Sequence, residues 1–242
     1  MPTYRMDIEY DGTNYVGWQY QTNGRSIQGE IEKALRILLK KDIRIVGGGR
    51  TDTGVHARAQ VASFRFDHIE NLQQLKYNIN GILPNDIVLH KLEIAPDNFH
   101  ARHSAKSRYY SYHISQKRVA IQRLYCWQIY TKLDLSVMQQ CAASVLGTHD
   151  FRSFAKLLKD NNDFKCNVML SEWIENSNML EYHIKANRFL YSMVRTLVAN
   201  MVQCGKGKMS YDQFLEIFQA RSRALAAAAA PAKGLFLESI EY

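Results

Sequence analysis

The sequence contains few of the residues that build disulfide-stabilised or zinc-stabilised folds. Its 242 residues include only four cysteines, which are widely spaced: Cys126, Cys141, Cys166 and Cys204. No two of them form a CxxC pair, so a cysteine-based zinc site is not expected. The N-terminus lacks the apolar region of a signal peptide, so we expect reduced, buried thiols in a cytoplasmic protein.

Long apolar runs are also absent. No stretch approaches the roughly 20 residues that are needed to cross a membrane, so we expect no membrane partner. Hydrophobic residues make up 46% of the chain, which is typical of a globular protein. The formal net charge is +8. A basic excess of this size favours a polyanionic partner such as a nucleic acid, although many basic enzymes bind none.

Hydrophobic periodicity predicts a β-α-β-β-α-β order in the first half of the chain. Residues 4–10 alternate apolar and polar, as in a strand with one buried face. Ser26 and Asn71 are predicted to cap two helices, the first of them running to about Lys41. Two strands flank a glycine-rich stretch, and another strand is predicted at residues 87–94. Residues 11–25 show no periodicity, which predicts a mobile loop.

The second half repeats this order and adds helices. Strands are predicted at residues 107–115, 166–175, 179–186 and 235–240, with a turn at 176–178. Helices are predicted from Asp134 or Ser136, over residues 189–203 as an amphipathic helix, and from about Tyr211. Residues 147–151 are predicted to begin an irregular stretch, and the alanine run 226–230 is typical of a helix end. The prediction is an α+β fold of two ferredoxin-like β-α-β-β-α-β halves, residues 1–105 and 106–242.

The glycine-rich stretch of the first half is the main functional candidate. Its glycines permit unusual backbone dihedrals and the close approach of a ligand: Gly47, Gly48, Gly49 and Gly54. Asp52 lies there between Arg50 and Arg58 and is followed by His56. Neighbouring cations favour the ionised carboxylate, which suits a nucleophile or an electrostatic anchor better than a general acid. The alternative is an Asx turn in which Asp52 bonds only its own backbone.

Two further stretches combine cations with aromatic or apolar residues. Residues 102–112 place Tyr110 and Tyr112 on one strand face with Arg108, where a base could stack, or where a tyrosine stripe simply packs on a helix. Arg195 lies next to the apolar side of the predicted helix 189–203. A charged residue near a buried face is normally paired, and we expect Asp52 to be its partner; an exposed arginine at the helix edge is the alternative.

Several blocks together resemble one known family. The stretch 49–57, Gly-Arg-Thr-Asp-Thr-Gly-Val-His-Ala, is similar to the signature of the tRNA pseudouridine synthase A family. Later blocks match in the same order, so that the resemblance covers nearly the whole chain: residues 99–102, 108–112, 147–151, 189–195 and 230–235. The chain departs from the family pattern at Ala199–Asn200, where a glycine is usual, and in the alanine run.

The resemblance implies that the protein is an isomerase that converts uridine to pseudouridine at positions 38 to 40 of the tRNA anticodon stem-loop. It implies Asp52 as the catalytic aspartate, Tyr110 as the tyrosine that stacks on the uracil, and Arg195 as the partner of the aspartate. It also implies two halves sharing a mixed, largely antiparallel sheet with a central active cleft, a homodimer, and no cofactor or metal.

The residues themselves are consistent with that chemistry. Isomerising uridine requires a carboxylate that attacks the base or the sugar, or that removes a sugar proton. It also requires a base held outside the stack. Beside Tyr110, we expect Arg50, His56, Arg58 and Arg25 to contact the RNA. Two other classes stay open: a non-catalytic RNA-binding protein with ferredoxin-like sheets, and a small-molecule enzyme whose glycine-rich loop binds phosphate.

Overall fold

The computed structural model describes residues 1–156, 163–176 and 179–242. In chain order, the first 106 residues form β1 (Thr3–Tyr10), α1 (Ile27–Leu39), β2 (Val46–Gly47), β3 (His56–Arg65), α2 (Leu72–Ile82) and β4 (Ile87–Ala95). The remainder forms β5 (Ser107–Ser115), β6 (Trp127–Gln128), α3 (Leu135–Ser144), β7 (Gly147–Asp150), β8 (Lys165–Asn176), β9 (Met179–Ala186), α4 (Met193–Gly205), α5 (Tyr211–Gln219) and β10 (Leu235–Glu241). The β-α-β-β-α-β order predicted for the first half is the observed one.

The chain divides into two compact units. The first comprises Met1–Lys106 together with Phe236–Tyr242, and the second comprises Ser107–Leu235. The sequence predicts that the whole of residues 106–242 forms the second half, but nearly all of β10 belongs to the first unit. There Phe236 and Leu237 pair in parallel with His56 and Ala57 of β3. Local sequence pattern gives no signal for a parallel pairing between residues that are so far apart in the chain.

The sheet of the first unit has the strand order β4-β1-β3-β10, with β2 beside β3. Strand β1 is antiparallel to both β3 and β4. Its alternate residues Tyr4, Met6, Ile8 and Tyr10 are all buried, as the period-two pattern predicted. Because β3 follows the glycine-rich stretch directly, this packed sheet fixes where that stretch ends.

Both helices of the first unit begin at the predicted caps. The Ser26 hydroxyl accepts the Gly29 N–H at 3.2 Å, and the Asn71 side chain accepts the Gln74 N–H at 2.9 Å. These bonds satisfy amides that have no partner within the helix. Helix α1 buries the stripe Ile27, Ile31, Ala34 and Leu35. In the second unit Asp134, and not Ser136, caps α3.

The sheet of the second unit has the strand order β5-β9-β8-β7, with β6 parallel to β5. The other neighbouring strands are antiparallel. The prediction of an irregular stretch at residues 147–151 is wrong, because 147–150 form β7 along β8. Those residues have no apolar alternation, and their strand depends on pairing with β8. The predicted turn at 176–178 includes residues 177–178, which lie outside the described residues.

Helix α4 differs from its prediction in extent and character. It begins at Met193 rather than residue 189, because Ser192 adopts the left-handed conformation, with φ of 60°. Nearly all of its residues are buried, so it lacks the exposed polar face that the amphipathic prediction implies. The alanine run 226–230 is not helical. Across the described ranges, no helix has the length and apolar character needed to cross a membrane.

Candidate active site

The glycine-rich stretch forms a tight loop between β2 and β3. The Gly48 N–H donates to the Val61 carbonyl at 2.7 Å, and the Val55 N–H donates to the Asp52 carbonyl at 3.1 Å. A Cβ on Gly47 would lie 2.5 Å from the ring of Trp18, so no other residue fits there. The loop carrying Asp52 is therefore packed against the rest of the unit from its first residue onward.

The side chain of Gln60 on β3 clamps this loop from within the core. It is fully buried; its Nε2 donates to the Gly49 carbonyl at 2.9 Å, and its Oε1 accepts the Gly49 N–H at 3.3 Å. Nε2 also donates to the Tyr10 hydroxyl at 3.4 Å, which in turn lies 2.8 Å from Thr51 Oγ1. Burial raises the pKa of Tyr10 to about 12. Its hydroxyl thus stays protonated and shares a hydrogen bond with the hydroxyl of Thr51, the residue before Asp52.

Sequence reasoning missed both Gln60 and Tyr10. The available signal for Gln60 was a single long polar side chain one position before an apolar run in β3. Tyr10 gave no separate signal, because it fits the apolar face of β1. Buried polar groups in such positions form hydrogen bonds, and here those bonds run to the functional loop.

The segment between β1 and α1 holds the other side of the loop. The Trp18 N–H donates to the Thr51 carbonyl at 3.1 Å, and the Gly54 N–H donates to the Tyr15 carbonyl at 3.3 Å. Gly17, with φ of +103°, would place a Cβ 2.6 Å from the Thr51 carbonyl oxygen. Tyr15 and Trp18 are 2% and 1% exposed. These two aromatic side chains anchor residues 15–18 in the core, whereas the mobile loop was predicted over the whole of residues 11–25, of which 20–25 are exposed.

Asp52 lies half-buried on the clamped loop, and Arg50 lies exposed two residues before it. Within the described part of the chain, the Arg50 side chain forms no ion pair and no hydrogen bond. An arginine held by no carboxylate is available to an anionic ligand. Of the predicted RNA contacts in the first unit, Arg50 therefore has the most suitable surroundings.

His56 is placed differently from the RNA contact that was predicted for it. Its side chain is 2% exposed. Its Nδ1 lies 3.1 Å from the Gly12 backbone nitrogen and 3.0 Å from Asp11 Oδ1. Its ring stacks on Phe236 with centroids 4.7 Å apart. These contacts favour a structural role, in which His56 joins β3 to the end of β1 and to β10.

Arg25 and Arg58 are exposed but are already paired with carboxylates. Arg25 Nε lies 2.8 Å from Glu30 Oε1, and Arg58 Nε lies 3.2 Å from Glu238 Oε2. The hydrogen bond to Glu30 raises the pKa of Arg25 further above its usual value. Either arginine would have to share or give up its carboxylate in order to bind a phosphate.

Tyr110 lies in the second unit, on β5 opposite Ile184 of β9. Its ring meets Phe189 edge to face, with centroids 5.1 Å apart. Only 6% of the residue is exposed. A uracil could stack on it only over that small area or after neighbouring side chains move. Tyr112, on the same strand face, is fully buried and donates its hydroxyl to the Pro231 carbonyl at 2.8 Å.

Arg195 is tied to the alanine run. Its Nε donates to the Ala230 carbonyl at 2.7 Å, and the Ala230 N–H donates to the Arg195 carbonyl at 3.0 Å. One turn further along α4, Asn200 Oδ1 accepts the Ala227 N–H at 3.1 Å. The two departures from the family pattern, Asn200 and the alanine run, thus contact each other. Arg195 belongs to the second unit and Asp52 to the first, and their pairing stays a prediction.

Metal ligands do not assemble in the described part of the chain: it contains no group of three or more histidine, cysteine or acidic side chains that could hold an ion. All four cysteines are free and buried. The first unit offers a carboxylate on a fixed loop, with exposed Arg50 two residues before it in the chain, which is suited to nucleophilic or acid–base chemistry.

Comparison with known proteins defines the class. The family model for tRNA pseudouridine synthase matches residues 7–104 and 141–242. The chain therefore belongs to the tRNA pseudouridine synthase family, has its α+β fold, and is an isomerase.

Individual relatives agree over their whole lengths. The tRNA pseudouridine synthase A of Chlorobium phaeobacteroides is 40% identical over 243 residues, covering 100% of this chain and 94% of the relative. That of Chlorobium chlorochromatii is 41% identical over 243 residues, with 100% of both chains covered. That of Thermodesulfovibrio yellowstonii is 39% identical over 255 residues, again with 100% of both covered.

Proposed function

We propose that this chain converts uridine to pseudouridine in the anticodon stem-loop of tRNA, at positions 38 to 40, with Asp52 as the catalytic nucleophile or base. The observation that carries the proposal is the Asp52 loop, which buried side chains hold on both sides within a chain of this family. Fixing a carboxylate in this way suits chemistry that needs one precise approach to a substrate.

The reaction is an isomerisation and needs no external oxidant or reductant. The N1–C1′ bond breaks, the uracil turns, and C5 joins C1′. The proton on C5 then leaves to solvent, and N1 takes up a proton from solvent. Asp52 supports this by bonding to the base, by bonding to the sugar, or by removing a sugar proton and so giving a glycal; all three routes stay open. Each requires the nucleotide outside the helical stack, where C1′ and C5 can be reached.

The other proposed roles follow from the side chains. Tyr110 supplies a ring on which the detached uracil stacks, so that the base stays beside the sugar. The proposed role of Arg195 is that of charge partner to Asp52. Arg50, Arg58 and Arg25 contact phosphates. The role we propose for His56 is structural, joining β3 to the end of β1 and to β10, rather than direct contact with RNA. No cofactor and no metal take part. The resemblance to the family supports a cytoplasmic homodimer.

A tritium-release assay tests the proposal. Bulk tRNA carrying 5-tritiated uridine is incubated with the chain, and transcripts with cytidine at position 38, 39 or 40 locate the target. We expect release that is lost only when all three positions are replaced. Binding without release would instead show a non-catalytic RNA-binding protein, and release from the triply replaced transcript would contradict the anticodon assignment.

A further inference from the structure

One loop of the second unit is unusually basic. Residues 98–133 contain no aspartate or glutamate, although the whole chain has 23. Within that stretch, residues 116–133 carry four cations: Lys117, Arg118, Arg123 and Lys132. An acid-free stretch of this length concentrates positive charge on whatever surface it forms.

The loop between β5 and α3, residues 116–131, is folded back on itself. The Gln116 side chain donates to the Thr131 carbonyl at 3.3 Å, and the Gln128 side chain donates to the Val119 carbonyl at 3.0 Å. These bonds join the residues next to Arg118 to those next to Lys132, so both cations lie at one end of the loop. Ile121 is 89% exposed.

Two lysines from elsewhere in the second unit border the same loop. Lys233 Nζ donates to the Arg123 carbonyl at 2.7 Å, and Lys206 Nζ lies 5.5 Å from the ring centroid of Trp127. Tyr130, on the loop itself, is 66% exposed. We call Arg118, Arg123, Lys132, Lys206 and Lys233 the loop cations.

The loop cations differ from the cations of the first unit in their partners. Among the residues that the structure describes, none of the five forms an ion pair. In the first unit, seven lysines and arginines lie within 4.0 Å of a carboxylate: Arg5, Arg25, Arg36, Lys41, Arg44, Arg58 and Lys91. A cation that no carboxylate neutralises attracts a polyanion more strongly and has no ion pair to break on binding.

We propose that the loop cations form an RNA-binding surface that holds phosphates of the tRNA backbone, with exposed Tyr130 adding a base or sugar contact. The inference rests on the proposed function in taking tRNA as the partner. Charge complementarity selects the occupant, because phosphates supply a row of negative charge that five neighbouring cations can follow. The surface supplies affinity and not chemistry.

The test uses the full chain carrying Arg118→Ala, Arg123→Ala and Lys132→Ala together. Affinity for one full-length tRNA transcript is measured over a series of salt concentrations. Each lost phosphate contact lowers the slope of log affinity against log salt by about 0.7–0.9, so we expect a slope smaller by roughly 2–3, with weaker binding at low salt. Should the triple variant fold poorly, the double variant Arg118→Gln with Lys132→Gln should lose about 1.4–1.8.

A matched control removes the same charge from the first unit. Lys41→Ala, Lys91→Ala and Arg36→Ala remove cations that lie 2.6 Å from Asp67, 2.7 Å from Glu93 and 4.0 Å from Asp42. We expect the control to keep the wild-type slope. An unchanged slope in the loop variants, or an equal loss in the control, would overturn the proposal.

This outcome is distinct from failure of the proposed function. Tritium release by the wild-type chain with an unchanged slope in the loop variants would reject only the RNA-binding surface. A reduced slope in a chain that releases no tritium would reject only the isomerisation.

Discussion

The loop at residues 47–55 and the loop at residues 116–131 differ in composition and in how firmly the rest of the protein holds them. The first is rich in glycine and is fixed by buried contacts, among them the two hydrogen bonds between Gln60 and Gly49. The second contains no acidic residue and exposes its cations to solvent. A catalytic carboxylate must be held within a fraction of an ångström. Phosphate contacts through long, flexible side chains tolerate looser geometry.

Because the two loops differ in this way, the rate of reaction and the affinity for tRNA should be separable in this protein. Changes that loosen the first loop should lower the rate while leaving the salt dependence of tRNA binding intact. Changes to exposed, unpaired cations should do the reverse. A variant that moves both quantities together would break the comparison.

The largest effect among supporting residues is expected from Gln60→Leu. Leucine keeps the volume but removes both bonds to Gly49, and a misplacement of about 1 Å can lower a rate by roughly 10²-fold. We expect kcat to fall by about that factor, with tRNA affinity and its salt slope unchanged. Gln74→Leu makes the same change at an exposed position of α2 and should have no effect. Steady-state kinetics and equilibrium tRNA binding are measured for both variants. Equal losses in rate and affinity would contradict a positioning role for Gln60.

Tyr110 tests whether a buried ring of the second unit takes part in chemistry. If it stacks on uracil, Tyr110→Ala loses about 1–3 kcal/mol, or roughly 5–150-fold. If its hydroxyl also removes the C5 proton, Tyr110→Phe should bind tRNA normally yet turn over slowly, which is the result we expect. Single-turnover kinetics on one transcript distinguish these roles. Turnover at the wild-type rate by the phenylalanine variant would exclude a role of the hydroxyl in proton removal. Turnover at the wild-type rate by the alanine variant would exclude Tyr110 from the active site.

Asn200→Ala should lower stability rather than rate. The Asn200 side chain accepts a hydrogen bond from the Ala227 N–H and donates one to the Thr196 carbonyl at 2.7 Å, and alanine removes both bonds. An unsatisfied buried group costs about 1–3 kcal/mol in the free energy of unfolding. Asn23→Ala, on an exposed turn, should cost much less. Denaturant unfolding of both variants is the measurement, and equal costs would remove the link between α4 and the alanine run.

The smallest expected differences separate Arg50 from Arg25 and Arg58. Arg50→Ala should flatten the salt slope of tRNA binding by about 0.7–0.9, as one lost phosphate contact. Arg25→Ala and Arg58→Ala should also weaken binding and flatten the slope, by less than Arg50→Ala, because each arginine already pairs with a glutamate. Unchanged slopes in all three variants would contradict RNA contacts near the Asp52 loop.

Local sequence signals predicted the elements that local interactions define. Neighbouring residues determine the helix caps at Ser26 and Asn71 and the alternation of strand β1, so a local sequence pattern predicts them. The glycine-rich loop around Asp52 was predicted for the same reason, since glycine and aspartate are typical of turns and loops.

Features that depend on distant partners were not predictable from those signals. Strand β7 exists because of β8, and the segment containing Tyr15 and Trp18 is ordered by burial against the Asp52 loop. The clamp by Gln60 needs the register of β3 beside β1. The roles of Tyr110 and Arg195 came from the family resemblance and not from periodicity, because no spacing in the sequence relates them to Asp52.

Asp52→Asn tests the central claim most directly, in a single-turnover assay with one tRNA transcript and saturating enzyme. Asparagine keeps the size of the side chain but removes the charge and the nucleophilic carboxylate. We expect the wild-type chain to convert its target uridine completely, and the variant to bind the transcript with near wild-type affinity, since affinity comes from many phosphate contacts, yet to form no pseudouridine. Conversion by the variant at close to the wild-type rate would contradict the account.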